Sequence, residues 1–314
     1  MKQNSFTDYM QTVISRLEKE QRMGTAHVYR YALNNVLSFT RGCPLDFREL
    51  TPAWLSTFQG YLDGRKLSWN TISTCFRMLR AVYFRAVDEG LVTSCNPRLF
   101  KGVHTGVDST VKRAVSEECI RQLASEPVED PKAEEARLLF LLLFMLRGIP
   151  FVDIAFLHPN ALSGDLLTYH RRKTGTRITV RVEPMAMQLI EQLRDLRPEA
   201  PYLFPLIREP GADEYRQYQN ALRHINYRLR RLGATLPGSP RLSTYSARHS
   251  WASIANFRHY DKELISNAMG HSSVLVTETY FKDYEDDKIN EMNRDIVQSV
   301  CGEKVVISNP LLCR

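Results

Sequence analysis

From Leu138 to Leu146 every residue is apolar, and the run is closed by Arg137 on one side and Arg147 on the other. A helix that crosses a bilayer needs about 20 apolar residues, so this run is far too short to span one and has to be buried inside protein. It predicts an all-apolar helix at the centre of a globular domain, with other elements packed around it. The first residues, Met1-Lys2-Gln3-Asn4, lead into an amphipathic pattern without the apolar core and cleavage site of a signal peptide. Cys43, Cys75, Cys95, Cys119, Cys301 and Cys313 are scattered with no CxxC pair, which argues against a zinc site or a disulfide framework. The expectation is a cytoplasmic protein with reduced thiols and no membrane partner.

A chain of 314 residues is long enough for two domains, each with its own core. Phe6, Tyr9, Met10, Val13, Ile14 and Leu17 recur at helical spacing, and a second periodic segment runs from about Thr25 to Phe39. Thr51 followed by Pro52 reads as an N-cap and first-turn proline for a helix carrying Trp54, Leu55, Phe58 and Leu62. A fourth helix starts near Ser68 and ends at Gly90, with Ile72, Cys75, Phe76, Leu79, Val82, Tyr83 and Ala86 on its apolar side. These helices predict a small all-α domain over residues 1–98. The opposite side of the fourth helix carries Asn70, Ser73, Thr74, Arg77 and Arg80, with Arg65 and Lys66 just before it. Such a stripe is either a solvated face or, since acid is absent until Asp88, a phosphate-binding one.

Between Asn96-Pro97 and Arg113 the periodicity lapses, with Lys101, Lys112 and Arg113 inside the lapse, which reads as a basic linker over residues 99–113. Ser116, with Glu117 and Glu118 behind it, caps the first helix of a second domain, residues 114–300, followed by a tail, 301–314. That domain is mostly helical with one β signal. Leu166 to His170, a turn from Arg171 to Thr176, and the alternating Arg177 to Val182 predict a hairpin with Lys173 at or beside its turn. Helices are expected after Pro184, from about Asp213 to Leu232, from Ser243 to Asn256 and from Lys262 to Met269.

Three motifs carry chemistry. Gly270-His271-Ser272-Ser273 is followed by Thr277-Glu278-Thr279-Tyr280; Arg248 stands in Ala247-Arg248-His249-Ser250-Trp251-Ala252; and Lys173 opens Lys173-Thr174-Gly175. Each is weak alone, since a tyrosine near an element end is usually core or surface. Together, and in this order, they fit phosphodiester chemistry on DNA; a net charge of +7 favours a polyanionic partner but equally suits a soluble basic enzyme.

In this order and context the motifs resemble the tyrosine recombinase, or phage integrase, family, across nearly the whole chain. The resemblance implies an N-terminal helical, SAM-like core-binding domain joined to an α+β catalytic domain, the whole mainly α with a small sheet. It implies Tyr280 as nucleophile, Arg248 and a second arginine on the non-bridging phosphate oxygens, and His271 donating a hydrogen bond to phosphate. It implies Lys173 as the proton donor to the leaving 5′ oxygen. Two guanidinium groups suit a phosphate because each binds oxygens in bidentate fashion. The 3′-phosphotyrosyl link keeps the energy of the phosphodiester, so no cofactor, metal or ATP is implied. Partners would be double-stranded DNA with specific sites and further copies of the chain, a dimer or tetramer held through the helical segment Tyr284 to Val297.

Two positions depart from the family pattern. Tyr245 stands where the family has a histidine three residues before the second arginine; its phenol can donate a hydrogen bond to phosphate, and a general-base role of that histidine is lost, reduced or moved to a neighbour such as His249. Arg147-Gly148-Ile149-Pro150-Phe151-Val152-Asp153 puts Pro150 in the first-arginine column and Arg147 three residues early. Three residues is nearly one helical turn, so Arg147 is the expected first arginine, with Asp153 supporting the site by hydrogen bonding. The variant resembles a subgroup rich in invertases and mobile-element integrases. Two other functions stay open: a type IB topoisomerase, which the separate core-binding domain disfavours, and a DNA-binding regulator whose recombinase site has decayed.

Overall fold

The computed structural model describes residues 5–92, 94–106, 113–211, 213–270 and 286–302, the first three residues of the last stretch by backbone alone. The chain divides into two compact units, Met1–Val111 and Lys112–Arg314. His271, Tyr280, Tyr284, Lys112 and most of the 301–314 tail lie outside the described residues.

The first unit is helical. Its elements are α1 (Phe6–Lys19), α2 (Met23–Phe39), α3 (Pro52–Gly64) and α4 (Trp69–Asp88). Ser5, Thr51 and Ser68 accept a backbone N–H of the first turn of α1, α3 and α4, satisfying donors that have no partner inside the helix. The apolar side read for α4 is buried throughout, against Phe58 of α3 and the facing residues of α1 and α2. Leu99 and Phe100 close the same core from beyond α4. On the polar stripe Arg77 and Arg80 are exposed, but Ser73 is fully buried, a correction to its reading as a stripe residue. It follows Ile72 and precedes Phe76 by three, which puts it on the buried arc of the helix.

The second unit is built around α6 (Pro131–Met145). The residues Leu138 to Leu146 are at most 3 % exposed, as the unbroken apolar run requires. Around α6 pack α5 (Glu117–Ser125), α8 (Pro184–Leu193), α9 (Glu214–Thr235) and α10 (Thr244–Phe257). Arg137 is also fully buried, its Nε and Nη2 each donating to the Glu134 carboxylate at 2.6 Å and its Nη1 to the Leu123 carbonyl. The charge at one end of the run is thereby paired inside the core, the condition on which a buried ion survives.

The short α7 (Phe151–Ala155) leads to a three-stranded antiparallel sheet in the order β1-β2-β3: β1 (Leu162–Ser163), β2 (Leu166–His170) and β3 (Arg177–Arg181). The hairpin register pairs Leu166 with Arg181 and His170 with Arg177. Strand β1, only two residues long, carries no periodicity of its own and was not foreseen. After α10 come α11 (Lys262–Ala268) and α12 (Asp286–Cys301). Helix α12 packs on α5, α10 and β3 of its own unit, burying Ile289, Met292 and Ile296. Among the described residues no helix is long and apolar enough to cross a membrane.

Candidate functional site

Helix α10 presents the first site residue. Ser243 and Ser246 cap its N-terminus reciprocally, the Ser246 N–H donating to Ser243 Oγ at 3.1 Å and the Ser243 N–H to Ser246 Oγ at 2.9 Å. The helix therefore starts at a fixed point, and Arg248 emerges from its second turn toward the interior, 6 % exposed. Arg248 donates from Nη1 to the Gly148 carbonyl at 2.7 Å and from Nη2 to the Met269 carbonyl at 2.8 Å. Burial, and after it the neighbouring Arg171 charge, brings its pKa down to about 10, which still leaves it cationic at neutral pH.

The hairpin supplies the next two. Along β2 the inward face reads Leu167, Tyr169 and then Arg171, the first residue beyond the strand. The Arg171 N–H donates to the Thr176 carbonyl at 2.8 Å, and its own carbonyl accepts from Gly175 at 2.7 Å, which fixes the turn on which Lys173 stands exposed. Arg171 is 8 % exposed, with Nε 3.0 Å from Asp153 Oδ2 and Nη1 donating to the Met269 carbonyl at 2.7 Å. The same Nη1 is 3.3 Å from the Gly270 carbonyl. Asp153, from α7, also accepts the Arg172 N–H on Oδ1 at 2.9 Å. Burial raises the Asp153 carboxyl above its usual range, against the pull of that N–H, Arg171 and Arg248.

Arg147 is buried as well, and it corrects the spacing argument that placed it. Helix α6 ends at Met145, and Arg147 has a left-handed φ of 58°, so residues 147–150 form a loop and no shared helical face joins position 147 to 150. Its Nη1 donates to the Thr179 carbonyl of β3 at 3.3 Å and its Nη2 to Asn290 Oδ1 of α12. Buried Tyr169 lies among all these groups. Burial pushes its phenol well up and Asp153 pushes it further, while Arg171, Arg248 and Arg147 pull it back.

Tyr245 lies outside this buried cluster, exposed on α10, with its ring edge-on to His249 at 4.5 Å and the Arg113 guanidinium 5.7 Å from its centre. Sequence reasoning missed Arg171 and Asn290 as members of the cluster. For Arg171 a signal existed, because the two-residue alternation of β2 continues through Leu167 and Tyr169 to position 171.

Two motif glycines make the cluster possible. Gly148, at φ 68°, lies against the Arg248 backbone, and Gly270, at φ 63°, lies against Ile178 and Arg171. A side chain at Gly148 would meet the Arg248 backbone and one at Gly270 the end of the Ile178 side chain, in each case with a left-handed φ that favours glycine.

Two family models match the chain: the phage integrase SAM-like domain over residues 5–98 and the phage integrase family over residues 114–286. No curated protein matches. Among solved structures, a lambda integrase(75-356) dimer bound to a COC′ core site is 14% identical, covers 88% of this chain and 97% of that one, and superposes with a TM-score of 0.57. The Tn1549 transposon integrase in complex with a circular intermediate DNA is 13% identical, with 92% and 99% covered and a TM-score of 0.57. A lambda integrase tetramer bound to a Holliday junction is 15% identical, with 88% and 80% covered and a TM-score of 0.55. At these identities the likeness speaks for the fold.

Proposed function

Because the chain belongs to the phage integrase family and is a site-specific recombinase of the tyrosine type, we propose that its buried arginine cluster binds the DNA phosphate that Tyr280 attacks. One observation carries this reading: among the described residues, Arg171 and Arg248 are buried beside the buried carboxylate Asp153, and Arg147 is buried with them around Tyr169. Cations gathered in a buried place are stabilised by an anion that arrives beside them. A phosphodiester with two non-bridging oxygens fits, because guanidinium donors match it in charge and geometry.

In the reaction the Tyr280 oxygen forms a bond to phosphorus and the bond from phosphorus to the 5′ oxygen breaks. The phenol, with an ordinary pKa of about 10, gives up its proton as it attacks, and the cationic surroundings favour that loss. The leaving 5′ oxygen takes a proton from Lys173, which the hairpin turn presents at the surface where a duplex arrives. Arg248 and a second arginine, Arg147 or Arg171, hold the charge that develops on the non-bridging oxygens, and His271 donates a further bond. Tyr245 contributes a phenolic donor in place of the family histidine. Reversal with a different 5′ hydroxyl exchanges strands.

Double-stranded DNA is the partner, and the chain self-associates on it. Two similar integrases are described on DNA as a dimer and as a tetramer on a Holliday junction.

The reading is tested by incubating the full chain with a random-sequence pool of nicked suicide duplexes and recovering DNA bound covalently to protein. The wild type is expected to enrich a discrete site, and Tyr280→Phe to yield no adduct. A wild type that captures nothing ends the reading.

A further inference from the structure

We propose that Arg171, standing beside Arg248, is the second arginine on the scissile phosphate, with Arg147 serving to fasten the hairpin to the C-terminal helix. This rests on the reading that Tyr280 attacks a phosphate held in the arginine cluster.

The two guanidiniums are brought together by one acceptor. Arg171 Nη1 and Arg248 Nη2 both donate to the Met269 carbonyl, at 2.7 and 2.8 Å, so they lie within two hydrogen-bond lengths of each other. Two like charges hold that approach in a buried place only when something of opposite sign stands near both. Among the described residues only Asp153 does so, and it is shared: its Oδ2 faces Arg171 while its Oδ1 takes the Arg172 N–H. A phosphodiester would bring a second negative charge to this pair of cations.

Placement along the chain points the same way. Arg171 Nη1 also reaches the Gly270 carbonyl, the residue immediately before His271. The Arg171 backbone closes the turn that carries Lys173 two residues on. Arg171 thus adjoins the histidine motif through its side chain and the lysine through its backbone, with Arg248 beside it. Its Nη2 has no acceptor among the described residues, so that edge of the fork is open to an incoming oxygen.

Arg147 is committed elsewhere. Its Nη1 donates to Thr179 at the middle of β3 and its Nη2 to Asn290 of α12, and Asn290 Oδ1 also accepts the Arg181 N–H at 3.4 Å. Those contacts tie the loop after α6, β3 and α12 together.

In the step itself Arg171 exchanges no proton. The tyrosine oxygen bonds to phosphorus, the 5′ oxygen departs with the Lys173 proton, and the guanidinium of Arg171 donates N–H bonds to a non-bridging oxygen whose charge grows as the fifth bond forms.

The experiment uses the full chain and the duplex that the wild type captures, prepared once with an ordinary scissile phosphate and once with a methylphosphonate, which lacks one non-bridging charge. Single-turnover cleavage is measured for the wild type, Arg171→Lys, Arg171→Ala and Arg147→Gln, with DNA retention and thermal unfolding followed alongside. On the ordinary phosphate Arg171→Ala is expected to lose roughly 100-fold or more in cleavage, as for one transition-state donor, with DNA binding little changed. Arg171→Lys, which keeps the charge beside Asp153, loses less and keeps the wild-type melting behaviour. On one methylphosphonate diastereomer the gap between wild type and the Arg171 variants shrinks at least 10-fold, because the oxygen that Arg171 serves is gone. Arg147→Gln lowers the unfolding midpoint, and its cleavage defect is the same on both substrates.

If the Arg171→Lys defect is as large on both methylphosphonate diastereomers as on phosphate, Arg171 touches no reacting oxygen and the proposal falls. A substrate-dependent defect in Arg147→Gln instead would move the role to Arg147. Both results presuppose an adduct with the wild type, so they stand apart from failure of the Tyr280 reading.

Discussion

The Gly148 carbonyl accepts the Arg248 Nη1–H at 2.7 Å, and a β-carbon built on Gly148 would stand 2.7 Å from the Arg248 Cα. The loop after α6 is therefore pressed directly onto α10, and Gly148 allows this twice, by its missing side chain and by its φ of 68°. Gly148→Ala has to move backbone rather than a side-chain tip. We expect it to destabilise the second unit by about 3 kcal/mol, from overpacking together with a left-handed alanine. The shift of that unit's unfolding transition measures it, and an unchanged midpoint would show that the loop can retreat freely.

Asp153→Asn removes the charge that the buried Arg171 faces. Burial holds the Asp153 carboxyl above its ordinary pKa despite the Arg172 N–H, Arg171 and Arg248. Between the usual value of 3.8 and the raised one, the folded protein holds a proton that the unfolded chain has released, and stability falls as pH rises. The neutral isostere keeps an acceptor for the Arg172 N–H and removes that pH dependence. At pH 7 we expect Asp153→Asn to lose about 3 kcal/mol of stability, because it takes one partner from a buried ion pair and leaves Arg171 uncompensated, and the shift of the unfolding transition measures it. Cleavage should fall about 10-fold, because a neutral acceptor holds Arg171 roughly half as strongly as a carboxylate. Full cleavage by Asp153→Asn would mean that Arg171 is aimed without it.

These two residues also mark where the sequence could be read and where it could not. The central helix, the hairpin and the caps at Thr51 and Ser116 are local: each follows from periodicity or from a side chain next to orphan N–H groups, and the chain settles them within a few residues. The arginine cluster is not local. Arg171 reaches carbonyls 98 and 99 positions away, and Arg147 reaches an asparagine 143 positions away. No spacing within a motif encodes such partners. Arg147 was expected to share a helical face with position 150, an inference that required α6 to continue. It stops at Met145, and the left-handed Arg147 and Gly148 that follow turn the chain so that Phe151 begins a new helix.

The His249 imidazole is a reporter of this charge from the outside of the cluster. Partial burial lowers its pKa below 6.5, and Arg113 and then Arg248 lower it further. It is therefore neutral at pH 7. As pH drops below about 6.5 the unfolded chain takes up a proton that the folded chain resists, so this residue makes the fold less stable toward acid. Arg113→Gln should move the His249 titration, followed by NMR, back toward 6.5. His249→Gln should flatten the decline in stability between pH 6.5 and the depressed value. A His249 that titrates at or above 6.5 in the wild type would contradict the placement of both arginines.

Gly270 offers a case in which two physical effects can be pulled apart. A β-carbon there would meet Ile178 Cδ1 at 2.4 Å and Cγ1 at 3.1 Å, with Arg171 Cγ at 3.5 Å, and the residue sits at φ 63°. The nearest obstacle is the end of a flexible side chain, so the overlap is relieved by shortening it, whereas the backbone strain is not. Gly270→Ala alone should cost stability from both sources and displace the Arg171 side chain, lowering cleavage. In the double variant with Ile178→Val, which deletes Cδ1, the steric part is recovered and a residual of about 1–2 kcal/mol from the left-handed alanine remains. Ile178→Val alone should cost about 1 kcal/mol for the lost buried methyl. The two changes are then non-additive in unfolding, with the double variant more stable than the sum of the singles predicts, as contacting residues are expected to be. Strict additivity would show that residue 270 does not press on the hairpin, and that Gly270 is required only for its backbone angle.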